Sequence, residues 1–244
     1  LSATPIPRSL ALTRYGDLDL SVLREKPPGR GEVRTAIRGP KGRDRVHAFV
    51  ETEAKAGRQA YVVLPVIEES EKTDLRAAAT MAETLQRRWP DLRVGLVHGK
   101  MKAEERDAAM RAFRAGEIHV LVATTVIEVG VDVPNATIMI VEHPERFGLA
   151  QLHQLRGRIG RGTGTGESHC ILLVEGAIPA RLKAFAATTD GFRIAELDLE
   201  ERKQGDLLGA RQSGAMDIKV ARFPEDTDLL QQARTLAEEL LADD

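Results

Sequence analysis

The stretch Val120-Leu-Val-Ala-Thr-Thr-Val-Ile-Glu-Val-Gly-Val-Asp-Val-Pro134 decides the fold. Its first four residues are purely apolar, as a strand covered on both faces must be. Two hydroxyls follow at once, on Thr124 and Thr125; Gly130 then permits a tight turn, and Asp132 sets a carboxylate just beyond it. Polar groups at the carboxyl end of a buried parallel strand are where open α/β sheets hold ligands.

Working outward, apolar β-branched runs predict further strands at 33–37, 60–67, 94–97, 137–141 and 170–174, in addition to 120–123. Amphipathic patterns between them predict helices at 44–56, 74–88, 102–114 and 149–156. In the third of these, Met101, Met110 and Phe113 share one face, Glu104 and Glu105 occupy the first turn, and Gly116 follows the last. Strand–helix alternation implies βαβ units and an α/β class with a parallel sheet. After about residue 176 the sheet pattern stops. Helices are expected at 179–187 and 192–203, then a glycine-punctuated loop and a last helix at 226–241.

Composition narrows the function classes. The 244 residues are 42% hydrophobic and 30% charged, an ordinary globular mixture. Lys plus Arg is 35 and Asp plus Glu is 37, a net charge of −2, so a globally basic nucleic-acid coat is excluded while local basic patches are not. One such patch is residues 24–45, with eight basic residues against three acids around Pro27-Pro28-Gly29. The single cysteine, Cys170, excludes an internal disulfide; inside an apolar run it reads as an inert small hydrophobe. Aromatic residues are only 4%, which argues against a stacking platform for single strands. Trp89, before Pro90 at a helix end, reads as a packing residue, and the six histidines show no metal-ligand spacing. No apolar run reaches the roughly 20 residues of a membrane span, so no membrane partner is expected.

The densest chemistry lies in Gln151-Leu-His-Gln-Leu-Arg-Gly-Arg-Ile-Gly-Arg-Gly162. Arg156, Arg158 and Arg161 stand there with no acid between 151 and 166, so they are expected to face solvent or an anion. Guanidinium forks match phosphate oxygens, and the interleaved glycines let a backbone approach closely.

Ser2-Ala3-Thr4, then Thr124 to Asp132, then Gln154 to Arg161 resemble motifs III, V and VI of superfamily-two helicases. Several further stretches narrow the resemblance to the RecG family of branched-DNA helicases: Ser2-Ala-Thr-Pro-Ile-Pro-Arg8, Tyr15-Gly-Asp-Leu-Asp-Leu-Ser21, Pro27-Pro-Gly-Arg30, Val97-His-Gly-Lys-Met101 and Gln204-Gly-Asp-Leu-Leu-Gly-Ala-Arg-Gln-Ser-Gly214. Lys203-Gln204 departs from the glycine-proline usual in that last loop. The transcription-repair coupling factor shares the motor and is the rival reading; a helicase-like module that binds without hydrolysis is another.

The resemblance implies a RecA-like parallel sheet flanked by helices, followed by a mostly helical C-terminal extension. It divides the chain into the tail of a first RecA-like domain with its linker (1–32), a second RecA-like domain (33–176), and a hairpin, translocation loop and terminal helix (177–244). It implies ATP and Mg2+ as cofactors, held between two motor domains, with Arg158 and Arg161 as catalytic arginines reaching the γ-phosphate. Gln154, Asp132, Gly130, Ser2 and Thr4 match positions that bind nucleotide or couple it to the domain interface. Thr124 and Thr125 match positions that hold the DNA backbone without reading sequence. His98 and Lys100 are expected in the same groove, or on a plain solvent loop. Arg202, Arg211 and Gln212 match a loop that converts domain closure into movement on duplex DNA, or form a passive solvated loop. No Gly-x-x-x-x-Gly-Lys-Ser/Thr loop occurs in the sequence. The chain is therefore expected to be half a motor, inactive alone, whose partners are branched or forked DNA and the first motor and wedge domains of the same protein. A bacterial cytoplasmic setting at the nucleoid follows from the same resemblance.

Overall fold

The computed structural model describes residues 31–66, 71–124, 133–162 and 166–208, together with the helical positions Gln232 and Leu236. The chain divides into two compact units, residues 26–189 and residues 1–25 with 190–244.

The first unit is a six-stranded sheet in which every described pairing is parallel. In chain order its strands are β1 (Val33–Arg38), β2 (Gln59–Val63), β3 (Val94–Val97), β4 (Val120–Ala123), β5 (Ala136–Glu142) and β6 (Ser168–Leu173). Across the sheet they run β1-β6-β5-β2-β4-β3. Its helices are α1 (Arg43–Lys55), α2 (Glu71–Arg88), α3 (Ala103–Arg114), α4 (Leu149–Arg156) and α5 (Ala180–Ala187). The parallel α/β class read from the sequence is the class observed.

Period-two alternation assigns the core to two faces. Ala60, Val62 and Leu64 join Val120, Val122, Ile138, Ile140, Ile171 and Leu173 beneath α1 and the end of α2, where Val46, Val50, Leu85 and Trp89 cover them. Trp89 is 1% exposed and meets His47 edge to face at 5.7 Å, the packing role expected of it. On the other face, Tyr61 of β2 packs on Phe113 of α3 at 4.9 Å between ring centroids. Cys170 is buried on β6, and burial pushes its thiol pKa up to about 12, so it is an inert protonated thiol as read. All seven residues of β5 are buried, since neighbours pair with it on both edges and both faces are covered.

Two boundaries differ from expectation. β2 stops at Val63, not at 67: the Leu64 amide still donates to Ala123 O at 2.9 Å, but Pro65 has no N–H to continue the ladder. In the second unit, α6 (Gly191–Leu208) continues past the expected end at 203 and carries Arg202 and the first half of the anticipated loop as helix. Gly205 sits inside it; a single glycine weakens a helix by about 1 kcal/mol without ending it. Residues 209–214, with Arg211 and Gln212, lie outside the described residues, as does most of the expected helix 226–241.

Candidate functional site

Because the strands are parallel, the described site residues of this unit fall at two sheet edges. The carboxyl edge receives the end of β4, where Thr124 is buried and its amide donates to Val97 O of β3 at 3.2 Å. β3 and β4 pair in register at Val97 and Ala123, so His98 and Thr124 leave adjacent strands side by side. His98 is half-buried with Nδ1 enclosed and unpartnered, while Lys100 is exposed in the turn closed by Met101 N–H to His98 O at 3.2 Å. The structure thus brings Thr124, His98 and Lys100 to one corner. Thr125, Gly130 and Asp132 lie outside the described residues, as do Ser2 and Thr4.

The arginine-glycine segment is on the opposite edge. α4 returns from the carboxyl end of β5 toward the start of β6, so the turn after it meets the amino ends of β1 and β6. Gly31 N–H donates to Gly160 O at 3.2 Å, which fastens the turn to the approach to β1. Gly160 has φ +71°, and a Cβ there would lie 3.0 Å from Val33 and 3.4 Å from the Ser168 hydroxyl. Only glycine satisfies both the backbone and the space. Gln154 and Arg158 are half-buried; Arg161 is exposed and its Nε donates to Gly157 O at 2.9 Å, folding the side chain along its own turn.

The expectation that all three arginines face solvent or an anion fails at Arg156. It is 3% exposed, beneath α5. Its guanidinium donates to Thr35 Oγ1 at 3.2 Å, Phe185 O at 3.2 Å, Thr188 O at 2.8 Å and His153 Nδ1 at 3.0 Å, and lies 4.2 Å from the Phe185 ring centre. A guanidinium only donates, so His153 Nδ1 is the acceptor of that pair. Burial lowers the arginine's pKa, yet the four acceptors and the ring face replace its water. The signal for this was available: Leu149, Leu152 and Arg156 are spaced i, i+3, i+7, so Arg156 stands on the apolar face of α4. Of the three arginines, Arg156 alone is buried.

Sequence reasoning also missed a charged cluster at the carboxyl end of β5. Glu142 is 2% exposed and pairs with Arg43 at 2.6 Å; the same guanidinium reaches Glu175 at 2.5 Å. His143 follows in a left-handed conformation, φ 49°, and its Nδ1 lies 3.1 Å from Glu145. Arg181 of α5 donates to Phe147 O at 3.1 Å and to Glu145 O, which holds the turn between β5 and α4. β2 and β5 send their connections to opposite sides, so the switch point of the sheet lies between them, and the Arg43 ion pairs lie on its β5–β6–β1 side.

Comparison with known proteins matches two consecutive parts of the chain. Residues 43–163 match the family described as "Helicase conserved C-terminal domain". Residues 188–244 match "ATP-dependent DNA helicase RecG, domain 3, C-terminal". The chain is 52% identical over 246 residues to the ATP-dependent DNA helicase RecG of Escherichia coli, covering 97% of this chain and 35% of that protein. It is 48% identical to RecG of Thermotoga maritima, covering 98% of this chain and 31% of that protein. A solved structure of RecG bound to a three-way DNA junction superposes with a TM-score of 0.72 at 45% identity, over 94% of this chain and 30% of that one. The chain spans about a third of the length of the curated relatives it matches. Saccharomyces cerevisiae Dbp5 bound to RNA, at 16% identity and a TM-score of 0.52 over 85% of this chain and 54% of that one, shares the fold alone.

Proposed function

The chain belongs to the RecG family of ATP-dependent DNA helicases, and from that premise we propose that it is the second motor domain and C-terminal extension of a helicase that remodels branched DNA. The domain division at 1–32, 33–176 and 177–244 is part of the same proposal. One observation carries the reading. The arginines stand at the amino edge of the sheet, opposite the edge where an α/β sheet holds its own ligand. Their phosphate partner therefore belongs to another domain, as in a site shared across a cleft.

In that site ATP and Mg2+ are held by the preceding motor domain, and Arg158 and Arg161 reach the phosphoryl group. A guanidinium fork fits phosphoryl oxygens, and its fixed positive charge stabilises the charge spread over them during transfer. The turn's anchorage at Gly160 supplies the preorganisation. Gln154, half-buried one turn before Arg158, positions nucleotide, and Gly130, Asp132, Ser2 and Thr4 couple its state to the domain interface. At the far edge Thr124, His98 and Lys100 hold the DNA backbone, and Thr125 shares that role. The RecG structure on a three-way junction supports branched DNA as the partner, with contacts that position without reading sequence.

In the intact protein, Arg161→Ala and Arg158→Ala should each lower turnover on the order of 10³-fold or more, with nucleotide affinity little changed. Arg161→Lys should not restore it, because a point charge lacks the planar fork. Steady-state hydrolysis and nucleotide titration check this; near-normal turnover in Arg161→Lys removes the assignment. Arg202, Arg211 and Gln212 transmit domain closure to the duplex. Gln212→Ala should leave DNA-stimulated hydrolysis standing while fork unwinding falls severalfold, both rates being read on one preparation. A parallel loss of the two would mark a folding defect instead.

A further inference from the structure

We propose that Arg38, Lys41 and Arg45 form a second DNA-backbone contact, at the β1 end of the carboxyl edge, distinct from the Thr124 corner at the β3 end. The proposal rests on the reading above only in taking duplex DNA as the polyanion. The turn Arg38-Gly-Pro-Lys-Gly-Arg-Asp-Arg45 leaves β1 at that edge and enters α1 through a 3-10 turn at Pro40–Gly42. Its charges separate into two sets. Arg43 is committed inward to Glu142 and Glu175, and Asp44 is taken by Arg88 at 2.9 Å. At the other end of β1, Arg34 is paired with Glu167 at 2.8 Å.

Arg38, Lys41 and Arg45 are exposed and have no acidic partner among the described residues. The nearby carboxylates are already spent on other cations. The three also converge. The Arg38 stem lies along Gly42, 3.3 Å from where a Cβ would be; Arg45 follows Gly42 by three residues and Lys41 by four, the spacings that share a helical face. Gly39 adds an independent indication. Its φ of −88° suits any residue, and a Cβ there would meet nothing within 4 Å. The fold does not require glycine at 39, whereas a bare backbone lets a sugar-phosphate strand come close.

Geometry links this cluster to the other corner. Six strands at ~4.8 Å spacing put β1 and β3 about 24 Å apart. One duplex, carrying a charge every ~1.7 Å of its axis, can lie along that edge and meet both ends over about seven base pairs. The net charge of −2 then sets no obstacle, because the five cations Arg38, Lys41, Arg43, Arg45 and Arg88 outnumber the three acids Glu142, Glu175 and Asp44 here.

The test is the salt dependence of duplex binding by the intact protein, wild type against R38Q/K41Q/R45Q, with K100Q as the reference for the other corner and thermal melts to confirm folding. Each lost phosphate contact should reduce the log–log slope by about 0.9, so the triple variant should lose two to three units and K100Q about one. R38K/R45K should keep the wild-type slope, since neutralising a phosphate needs charge, not a fork. An unchanged slope in the triple variant while K100Q loses its unit overturns this surface and leaves the general reading standing. Unchanged slopes in both overturn the placement of DNA on this edge altogether. If the triple variant instead weakens ATP binding measured without DNA and keeps its slope on duplex, the cluster serves nucleotide phosphates and the proposal is wrong.

Discussion

The two edges of this sheet carry similar residues and treat them differently. At the amino edge, backbone tie, positive-φ glycine and buried guanidinium lock together: Gly31 to Gly160, Gly160 against Val33, and Arg156 under α5 with four acceptors. At the carboxyl edge, Lys100, Arg38, Lys41 and Arg45 stand exposed, at the ends of elements or on the turns between them. A group that must meet a transferring phosphoryl is useful only when held to a fraction of an ångström, so it needs a scaffold. A surface that follows a polyanion of any sequence needs charge in the right region and little else. On the proposed reading, the fixed edge is the one that meets the phosphoryl group.

The strongest way to break this comparison is to remove the buried tie. Arg156→Ala removes a buried donor from the Thr188 carbonyl, leaves the Phe185 carbonyl with the Thr188 amide at 3.4 Å, and deletes the contact with the Phe185 ring. The expected loss is about 3 kcal/mol or more. Trp89, the chain's one tryptophan and 1% exposed, reports it in a urea titration. A loss below about 1 kcal/mol, the scale of an ordinary surface change, would mean that the amino edge is not held by this residue.

A smaller effect separates the glycines of the same turn. Gly160→Ala forces a side chain into φ +71° and against Val33, costing roughly 1–3 kcal/mol. Gly157→Ala, at φ −69° in the right-handed region, should be neutral or slightly stabilising. Equal costs at the two positions would contradict the anchoring role given to Gly160.

The smallest effect lies at the start of α1. Burial lowers the His47 pKa to about 4, helped by the charges of Arg88 and Arg43 and opposed by Asp44. The unfolded chain therefore binds the extra proton between about pH 6.5 and 4, and the folded one does not. His47 thus contributes nothing against folding above pH 6.5 and destabilises progressively as pH falls through that window. The difference in melting temperature between pH 7 and pH 5 should shrink in His47→Gln. An unchanged difference would assign the acid sensitivity to the carboxylates.

Most of the sheet was legible because its strands are short apolar runs bounded by polar turns; β3 and β4 coincide with the expected ranges. The misreadings have local causes. A proline that still packs its side chain ended β2 without interrupting the apolar pattern. A glycine inside α6 looked like the start of a loop. Arg156, Arg158 and Arg161 looked alike because composition within twelve residues cannot tell which side chain a helix turns inward. The face periodicity of α4 tells it, once α5 is known to supply carbonyls. The Arg43–Glu142 pair was out of reach, since 99 residues separate its members.

The strand order carries a consequence for synthesis. Among the described residues β1 pairs only with β6, in register from Val33 with Ser168, so about 135 residues must be made before this strand meets its partner. At roughly 5–20 residues per second, the ribosome keeps β1 waiting about 7–27 seconds. Strands β2 to β5 can assemble in that interval, with the basic turn and its strand trailing as an unpaired edge. The last strand to enter this sheet is β6, between β5 and β1, and α5 follows it. The same stroke brings Ser168 to Gly160 and seats the arginine turn, so the nascent domain gains its arginine edge only after the sheet is closed.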